Sequence, residues 1–395
     1  MELNDVVVVS VVRTPMGRFG GTLRDVPAYD LGAVVITEAL KRAKLKGDQV
    51  DEVIFGHCRQ AGNGPNPSRT ASVRGGIPMT VPTNTINKAC PSAMKALALA
   101  SQAIRLGDGE IIVIGGMDSM STIPYLLKSA RWEGFKMGDK TLMDGWGDSI
   151  DPLCNMGMGQ TAENLVEKYQ ISREAQDQFA FESHQKAAKA QDEGWFDEEI
   201  VPVEVPQRKG EPRVFDKDET IRRDTSIEKL AKLPAVFKKD GSVTAGNACQ
   251  MSDGATAMVV MSRDKAKELG LRPLFSLVSY SSVAVEASTM GEGPGVSIPK
   301  ALERAGMTLD DMDLIEVNEA FAVQVLANER VLKWDRSKLN VHGGAIALGH
   351  PTGISGARIL ATLYYALKQH GGEYGIAGIC GGGGVSMATV IRREN

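Results

Sequence analysis

The feature that most constrains the fold of this chain is a long internal repeat. Residues 51–56, Asp-Glu-Val-Ile-Phe-Gly, resemble residues 313–318, Asp-Leu-Ile-Glu-Val-Asn. A helix and strand that follow Cys90 likewise resemble a helix and strand that follow His350. The offsets of 262 (313 − 51) and 260 (350 − 90) are nearly constant and far exceed the period of about 20 to 50 residues of a solenoid. The chain is therefore expected to form two related halves.

Each half alternates β-branched runs with amphipathic helices, an order typical of parallel strands covered by helices on both faces. Residues 6–12 and 274–280 predict the first strand of each half. The middle of the chain differs in composition, with three tryptophans and polar helices. It is interpreted as an insertion that precedes the last strand of the first half. The predicted domains are residues 1–120 with 251–272, an inserted loop domain at 121–250, and a second half at 273–395.

Composition narrows the function classes. A net charge of -4 disfavours nucleic acid or an anionic membrane as the main partner. The sequence contains no run of about 18 apolar residues, so no transmembrane helix is predicted. The five cysteines show neither zinc-ligand spacing nor a disulfide framework, so no metal is expected. Free thiols indicate a reducing compartment, and the cytoplasm is the expected location.

Three side chains suggest acyl-thioester chemistry. Cys90 precedes Pro91, which suits a first helical position, so its thiol should feel the end of the helix dipole that favours thiolate. His350 stands at the equivalent position of the second half and is the candidate base for that thiol. Cys380 ends a predicted strand at the sheet edge where α/β proteins bind ligands, and could move a proton at carbon.

Structural roles remain open for these groups. A free cysteine is most often a buried small hydrophobe. Asn318 could cap the helix that follows it, or could hold a water or a carbonyl oxygen. The glycines 381–384 could form a turn or a phosphate cradle, but no nucleotide-binding glycine motif accompanies them, which also speaks against a nicotinamide oxidoreductase. Without a supporting pattern, the following are interpreted as structural: His57, Cys58, Cys154, His184 and His370.

Four long motifs, at residues 13–21, 318–322, 340–353 and 380–384, resemble those of the thiolase family in the same order and over nearly the whole chain. The resemblance implies an α/β fold in which two repeated βα halves form mixed sheets stacked in layers, with an inserted loop domain that binds coenzyme A. It implies an acyltransferase with an acyl-cysteine intermediate. Coenzyme A would be its substrate or product, and no cofactor is expected.

The resemblance also implies roles for single residues. Cys90 resembles the acylated nucleophile, His350 its base, and Cys380 the acid/base at the α-carbon. Asn318, through a water, and His350 resemble one oxyanion site, and the backbone N–H groups of Cys90 and Gly382 resemble another. The positions where the family lines the acyl pocket hold Met158, Met290 and Phe321. Those where it contacts coenzyme A hold Arg222, Phe237 and Cys249.

This sequence also departs from the family pattern. Pro91 and Ala93 replace glycines beside the nucleophile, and Gly157 replaces a histidine of many biosynthetic members. The expected reaction is the reversible condensation of two acetyl-CoA to acetoacetyl-CoA, or its thiolysis. The alternatives are a degradative 3-ketoacyl-CoA thiolase of fatty acid β-oxidation and a non-catalytic acyl-CoA carrier. The segment 125–146 resembles a loop that pairs dimers, so a homotetramer is expected, otherwise a homodimer.

Overall fold

The structure is a computed structural model that describes residues 2–394. The strand β1 consists of eight consecutive buried residues, as expected of a strand covered on both faces. The elements of the first half before the insertion are β1 (Val6–Arg13), β2 (Gly17–Arg18), α1 (Ala28–Arg42), β3 (Glu52–Gly56), α2 (Pro67–Arg74), β4 (Thr83–Ile86), α3 (Ser92–Leu106) and β5 (Ile111–Ser119).

The insertion consists mostly of short elements and lies between two adjacent strands of the first half, β5 and β12. Its elements are β6 (Tyr125–Leu126), α4 (Ala130–Glu133), β7 (Met143–Asp144), β8 (Ile150–Asp151), β9 (Met156–Gly157), α5 (Met158–Tyr169), α6 (Arg173–Asp192), β10 (Val203–Val205), β11 (Arg213–Phe215) and α7 (Ile227–Ala231). The strand β12 (Ser252–Ser262) then completes the first half, followed by α8 (Arg263–Glu268).

The second half repeats the pattern of the first, and its strands again pair in one continuous sheet path. Its elements are β13 (Phe275–Ala284), α9 (Gly293–Ala305), β14 (Leu314–Val317), α10 (Ala322–Leu332), α11 (Ala345–Leu348), α12 (Ser355–His370), β15 (Tyr374–Cys380) and β16 (Val385–Arg393).

The strand order of the main sheet is β14-β15-β16-β13-β1-β12-β5-β3-β4, with β2 on β12. The pairs β3–β4, β3–β5 and β14–β15 are parallel and the others are antiparallel, so the expected mixed α/β arrangement is confirmed. The parallel strands that the alternation of strands and helices indicated are limited to these three pairs. One reason is the glycine turn 381–384, since a turn this short between β15 and β16 can only join antiparallel strands.

The helices α3 and α12 pack on each other between the two halves, and each also packs on the strands of its own half. Further helices cover the outer faces, α1 in the first half and α9 in the second. The small side chains of α3 permit this close packing, because four of its five alanines are buried. Both helices begin later than the repeat suggests, at Ser92 and Ser355, so Cys90 and His350 lie in the turns before them.

The equivalence of the halves extends to single hydrogen bonds. The Asp51 carboxylate accepts the N–H groups of Glu110 and Ile111, at 2.7 and 2.9 Å. The Asp313 carboxylate accepts those of Glu373 and Tyr374 at the same two distances. Each aspartate thus fixes the start of the neighbouring parallel strand, β5 in one half and β15 in the other.

The insertion is anchored to the core by a buried ion cluster. Arg13, at the end of β1, donates to Glu199 at 2.6 Å and to the two oxygens of Asp218 at 2.7 and 2.9 Å. All three side chains are fully buried. Because an unpaired buried charge is strongly destabilising, the cluster ties the insertion to the first half.

Candidate active site

Cys90 lies in the turn that leads from β4 into α3 and lines a cavity of about 630 Å³. Ala89 before it has a left-handed φ of 51°. The Ser92 hydroxyl closes the turn, accepting the Lys88 N–H at 2.8 Å and donating to the Ala89 carbonyl at 2.6 Å. These bonds hold the thiol at the wall of the cavity.

Burial dominates the electrostatics of this thiol. It raises the pKa of Cys90 to about 11, although the Arg59 guanidinium and the N–H groups of Gly382 and Cys90 act in the opposite direction. Burial therefore outweighs the effect of the helix start, which was expected to favour the thiolate. The thiol must lose its proton during the reaction, which requires a base within reach.

The candidate base is His350, the equivalent residue of the second half. Its Nε2 lies 3.2 Å from the Cys90 Sγ, although the two residues are 260 positions apart. Burial, reinforced by the guanidinium groups of Arg358 and Arg59, lowers the pKa of His350 to about 3. Neutral thiol and neutral imidazole therefore face each other across the boundary between the halves.

Ser355, the first residue of α12, determines the tautomer of this histidine. Its hydroxyl donates to the Pro351 carbonyl at 2.9 Å, so its oxygen is left to accept from the His350 Nδ1–H at 2.6 Å. The proton of the neutral ring is then on Nδ1, and the lone pair of Nε2 points at the thiol.

Cys380 ends β15 and is buried beside the Cys90 turn. Burial raises its pKa, and the nearby Cys90 adds to the rise. Gly382 follows in the glycine turn and offers its N–H to the Cys90 sulfur. Asp151 of the insertion accepts the Gly383 N–H at 2.7 Å, and Gly384 has a φ of 77° where a Cβ would collide with a backbone carbonyl. These contacts hold the turn with the Gly382 N–H toward Cys90 and the Gly383 N–H toward the insertion.

Asn318 follows β14 and is fully buried, yet neither polar atom of its side-chain amide has a hydrogen-bond partner in the described part of the chain. It does not cap α10, whose N-cap is Phe321. A buried amide without partners is costly, and a bound water or substrate oxygen would satisfy it. This geometry therefore favours the interpretation in which Asn318 holds a water or a carbonyl oxygen over the interpretation in which it caps the helix.

Sequence reasoning missed Asp118, which follows a glycine pair in β5. Its buried carboxylate accepts N–H groups from Cys58, Arg59 and Gly353 and the hydroxyl of Thr352 at 2.9 Å. The His57 ring also contacts it at 2.6 Å. One carboxylate therefore holds the loop after β3 against the loop that carries His350. An acidic residue at the carboxyl end of a buried strand was the available signal.

The predicted acyl-pocket residues divide into two groups. Met158 lines the cavity, and its sulfur would be the nearest contact of a side chain at Gly382. Met290 and Phe321 do not line the cavity but are buried in the core cluster of the second half against which Met158 packs.

The predicted coenzyme A contacts lie along the insertion. Arg222 lines a separate cavity of about 120 Å³ together with Gln250. Phe237 packs edge-on against Phe321 at 6.3 Å between ring centroids. Cys249 donates its N–H to the Ala320 carbonyl at 3.0 Å, and burial, reinforced by Cys90, raises the pKa of its thiol to about 12.

Across residues 2–394, no group of histidine, cysteine and acidic side chains is placed to hold a metal ion. Within the same range, no helix combines the length and the apolar character needed to cross a membrane.

Known proteins resemble the chain over its whole length. A family model described as thiolase, N-terminal domain, matches residues 6–264, and one described as thiolase, C-terminal domain, matches residues 271–393. The probable acetyl-CoA acyltransferase of Staphylococcus epidermidis is 52% identical over 393 residues, covering 99% of each chain.

Two solved structures share the fold. The acetyl-CoA acetyltransferase of Bacillus anthracis superposes with a TM-score of 0.96 at 46% identity, covering 98% of each chain. The human mitochondrial 3-ketoacyl-CoA thiolase superposes with a TM-score of 0.94 at 42% identity, again covering 98% of each chain. Proteins named for different substrates therefore share this architecture almost equally well.

Proposed function

We propose that this chain, which belongs to the thiolase family of acyltransferases, is an acetyl-CoA C-acetyltransferase that joins two acetyl-CoA reversibly into acetoacetyl-CoA and coenzyme A. The observation that carries the proposal is the contact of 3.2 Å between the Cys90 Sγ and the His350 Nε2. A non-catalytic acyl-CoA carrier would have no need of a base directed at a thiol.

In thiolysis, the Cys90 sulfur attacks the 3-oxo carbon while its proton passes to His350 Nε2. The backbone N–H groups of Cys90 and Gly382, and Asn318 through a water, stabilise the oxyanions that form during these steps. The bond between C2 and C3 then breaks, and the Cys380 thiol protonates the departing acetyl-CoA carbanion. Its raised pKa suits a group that holds its proton until a carbanion forms.

Coenzyme A then releases the acyl group. The coenzyme A thiol gives its proton to the Cys380 thiolate, and the coenzyme A sulfur attacks the carbonyl carbon of the acyl-Cys90 thioester. The Cys90 sulfur leaves and takes back the proton that His350 holds. The balance is one 3-oxoacyl-CoA and one coenzyme A consumed, and one acetyl-CoA and one shortened acyl-CoA formed. Condensation is the same sequence reversed, and no cofactor takes part.

The decisive experiment separates the two thiols. Wild type and Cys380→Ala are incubated with acetyl-CoA and mapped by peptide mass spectrometry, with Cys90→Ser as the control. We expect acetyl on Cys90 in both of the first two proteins and on no residue of the control. Cys380→Ala should lose turnover of acetoacetyl-CoA. Acetyl on Cys249 or Cys380 with Cys90 unmodified would refute the assignment, and normal turnover by Cys380→Ala would refute the division of roles.

We further propose a preference for short apolar chains. Met158 lines the cavity and packs against the core cluster that contains Met290 and Phe321, so each extra methylene should cost about 1–3 kcal/mol. One observation favours the alternative of a degradative thiolase that takes longer chains. A side chain at Gly157 would meet only the end of Gln160, so the glycine leaves space there that a longer acyl chain could occupy. Values of kcat/KM for acetoacetyl-CoA at or below those of the eight-carbon homologue would favour that alternative.

We also propose a cytoplasmic enzyme of fatty acyl thioester metabolism that assembles as a homotetramer, or otherwise as a homodimer. The five cysteines are free, as expected in a reducing compartment. The segment 125–146 exposes the large apolar side chains Tyr125, Trp132, Phe135 and Leu142, which a second copy of the chain would cover. Light scattering should give four copies for the wild type and fewer for Trp132→Glu, and a wild-type monomer would contradict both assemblies.

A further inference from the structure

A guanidinium group stands in the wall of the cavity that contains the reacting thiol. Arg59 lies in the loop that follows β3 and lines the same cavity as Cys90, Met158 and Gly382. Its charge acts on both members of the reacting pair, since it opposes the rise in the pKa of Cys90 and helps to lower the pKa of His350. Arg59 is therefore near the acyl group that Cys90 would carry.

The loop holds this side chain in place from several directions. The Arg59 N–H donates to Asp118 at 3.1 Å and its carbonyl accepts from Asn63 at 3.1 Å. The guanidinium lies over the Trp146 ring, 4.4 Å from its centroid, and its Nη2 donates to the Ser149 hydroxyl at 2.8 Å. A cation held in this way needs little ordering before it binds a ligand.

The hydrogen-bonding capacity of Arg59 is only partly used. Its Nε is buried and has no partner, and no described residue accepts from its Nη1. Asp151 lines the same cavity, but its two oxygens already accept the N–H groups of Leu153 and Gly383. Among the described lining residues, a guanidinium therefore faces the cavity without a carboxylate partner.

The internal repeat makes Arg59 and Phe321 equivalent residues. Gly56, the last residue of β3, matches Asn318, the residue after β14, and both pairs differ by 262 positions (318 − 56 and 321 − 59). At this position the first half has a cation that lines the cavity, and the second half has a buried aromatic ring.

From this arrangement we propose that Arg59 selects acyl groups that end in a carboxylate, so that short 3-oxodicarboxylyl-CoA thioesters are substrates besides acetoacetyl-CoA. The inference rests on the proposed function. A carboxylate at the end of a short acyl chain on Cys90 would accept charge-assisted hydrogen bonds from the free N–H groups of Arg59. The phosphates of coenzyme A are a poorer match, since the whole pantetheine arm separates them from the reacting sulfur.

The test compares acyl groups of equal length that differ only at the far end. Thiolysis of 3-oxohexanedioyl-CoA leaves a succinyl group on Cys90, and thiolysis of 3-oxohexanoyl-CoA leaves a butyryl group. In the wild type we expect kcat/KM to favour the first substrate by about tenfold or more, since a hydrogen bond to a charged group contributes roughly that much. Rates of Cys90 acylation by succinyl-CoA and butyryl-CoA, followed by mass spectrometry, should differ in the same sense.

The variant Arg59→Met removes the charge and keeps most of the length. The ratio of the two kcat/KM values should fall by about tenfold, toward one. Using the ratio cancels any general effect of Arg59 on the reactivity of Cys90. The exposed Arg24, whose ion pair is with its neighbour Asp25, provides the control Arg24→Met, for which the wild-type ratio should persist.

The outcomes separate this inference from the proposed function. A wild-type ratio near one, or a high ratio that survives in Arg59→Met, would overturn the role of Arg59 even if acetoacetyl-CoA is turned over. An equal rise of KM for coenzyme A with both substrates at an unchanged ratio would assign Arg59 to coenzyme A instead and also overturn it. Failure to acylate Cys90 with any acyl-CoA would overturn the proposed function itself.

Discussion

The two halves of the molecule share a backbone but not a chemistry. At the turn before the central helix, the first half places Cys90 and the second places His350. At the matching positions Gly56 and Asn318, near the ends of β3 and β14, only the second half supplies a side-chain amide. The register of the parallel pairs also makes Asp118 the equivalent of Gly381. Repetition of the fold provides proximity, and divergence of side chains provides the reaction, so neither half holds a complete site.

The largest expected effect tests whether the second half supplies the base. His350→Asn leaves a polar side chain that cannot accept the thiol proton, so acylation of Cys90 should slow by about 10³- to 10⁴-fold. His370→Asn, at an exposed histidine at the end of α12, is the control and should acylate normally. The measurement is the single-turnover rate of acetyl transfer from acetyl-CoA. Loss of less than tenfold in His350→Asn would mean that another group deprotonates Cys90.

The next effect concerns the carboxylate of Asp118, for which the second half has Gly381 at the equivalent position. Asp118→Asn replaces an acceptor of several hydrogen bonds by an amide with N–H groups of its own, which should lower the free energy of unfolding by about 3 kcal/mol. Acylation should also slow, because the bonded loop carries His350. Urea unfolding and single-turnover rates check this, and an unchanged unfolding midpoint would show that Asp118 does not join the halves.

A smaller effect concerns acid sensitivity, which we expect in the second half. Burial, with a contribution from His370, lowers the pKa of His342 to about 3 from its usual 6.5. As the pH falls from about 6.5 toward 3, the unfolded chain gains a proton there that the folded chain does not, so stability is lost by up to about 1.4 kcal/mol per pH unit. His342→Phe should make the loss of stability with falling pH less steep by up to this amount, as followed by urea unfolding between pH 4 and 6, and should leave stability near pH 7.5 little changed. Parallel slopes of the two proteins would contradict it.

The smallest effect tests the equality of the halves. Asp51 and Asp313 make matching bonds, so Asp51→Asn and Asp313→Asn should each lower the free energy of unfolding by about 1 kcal/mol. The two values from urea unfolding should agree within about 0.5 kcal/mol. A clear difference would show that the two strand starts are not equivalent in energy.

The sequence was sufficient to predict that Cys90 and His350 lie together, because the repeat placed them at equivalent positions. It misjudged the charge of Cys90. A helix dipole contributes about 0.3–1 kcal/mol at an exposed terminus, whereas burial raises the pKa from 9.0 to about 11, equivalent to roughly 3 kcal/mol. It also missed Asp118, whose bonds to Thr352 and Gly353 span 234 and 235 positions. Contacts of that range leave no local pattern in the chain.

The ion cluster of Arg13 has a consequence for synthesis on the ribosome. The strand β1 emerges first, but its arginine meets Glu199 and Asp218 only 186 and 205 residues later, and its neighbour β12 ends at Ser262. At about 5–20 residues per second, this very apolar strand waits roughly 10 to 50 s for partners. During that interval the nascent chain exposes a segment suited to aggregation, so its yield in a cell should depend on chaperones that shield emerging chains.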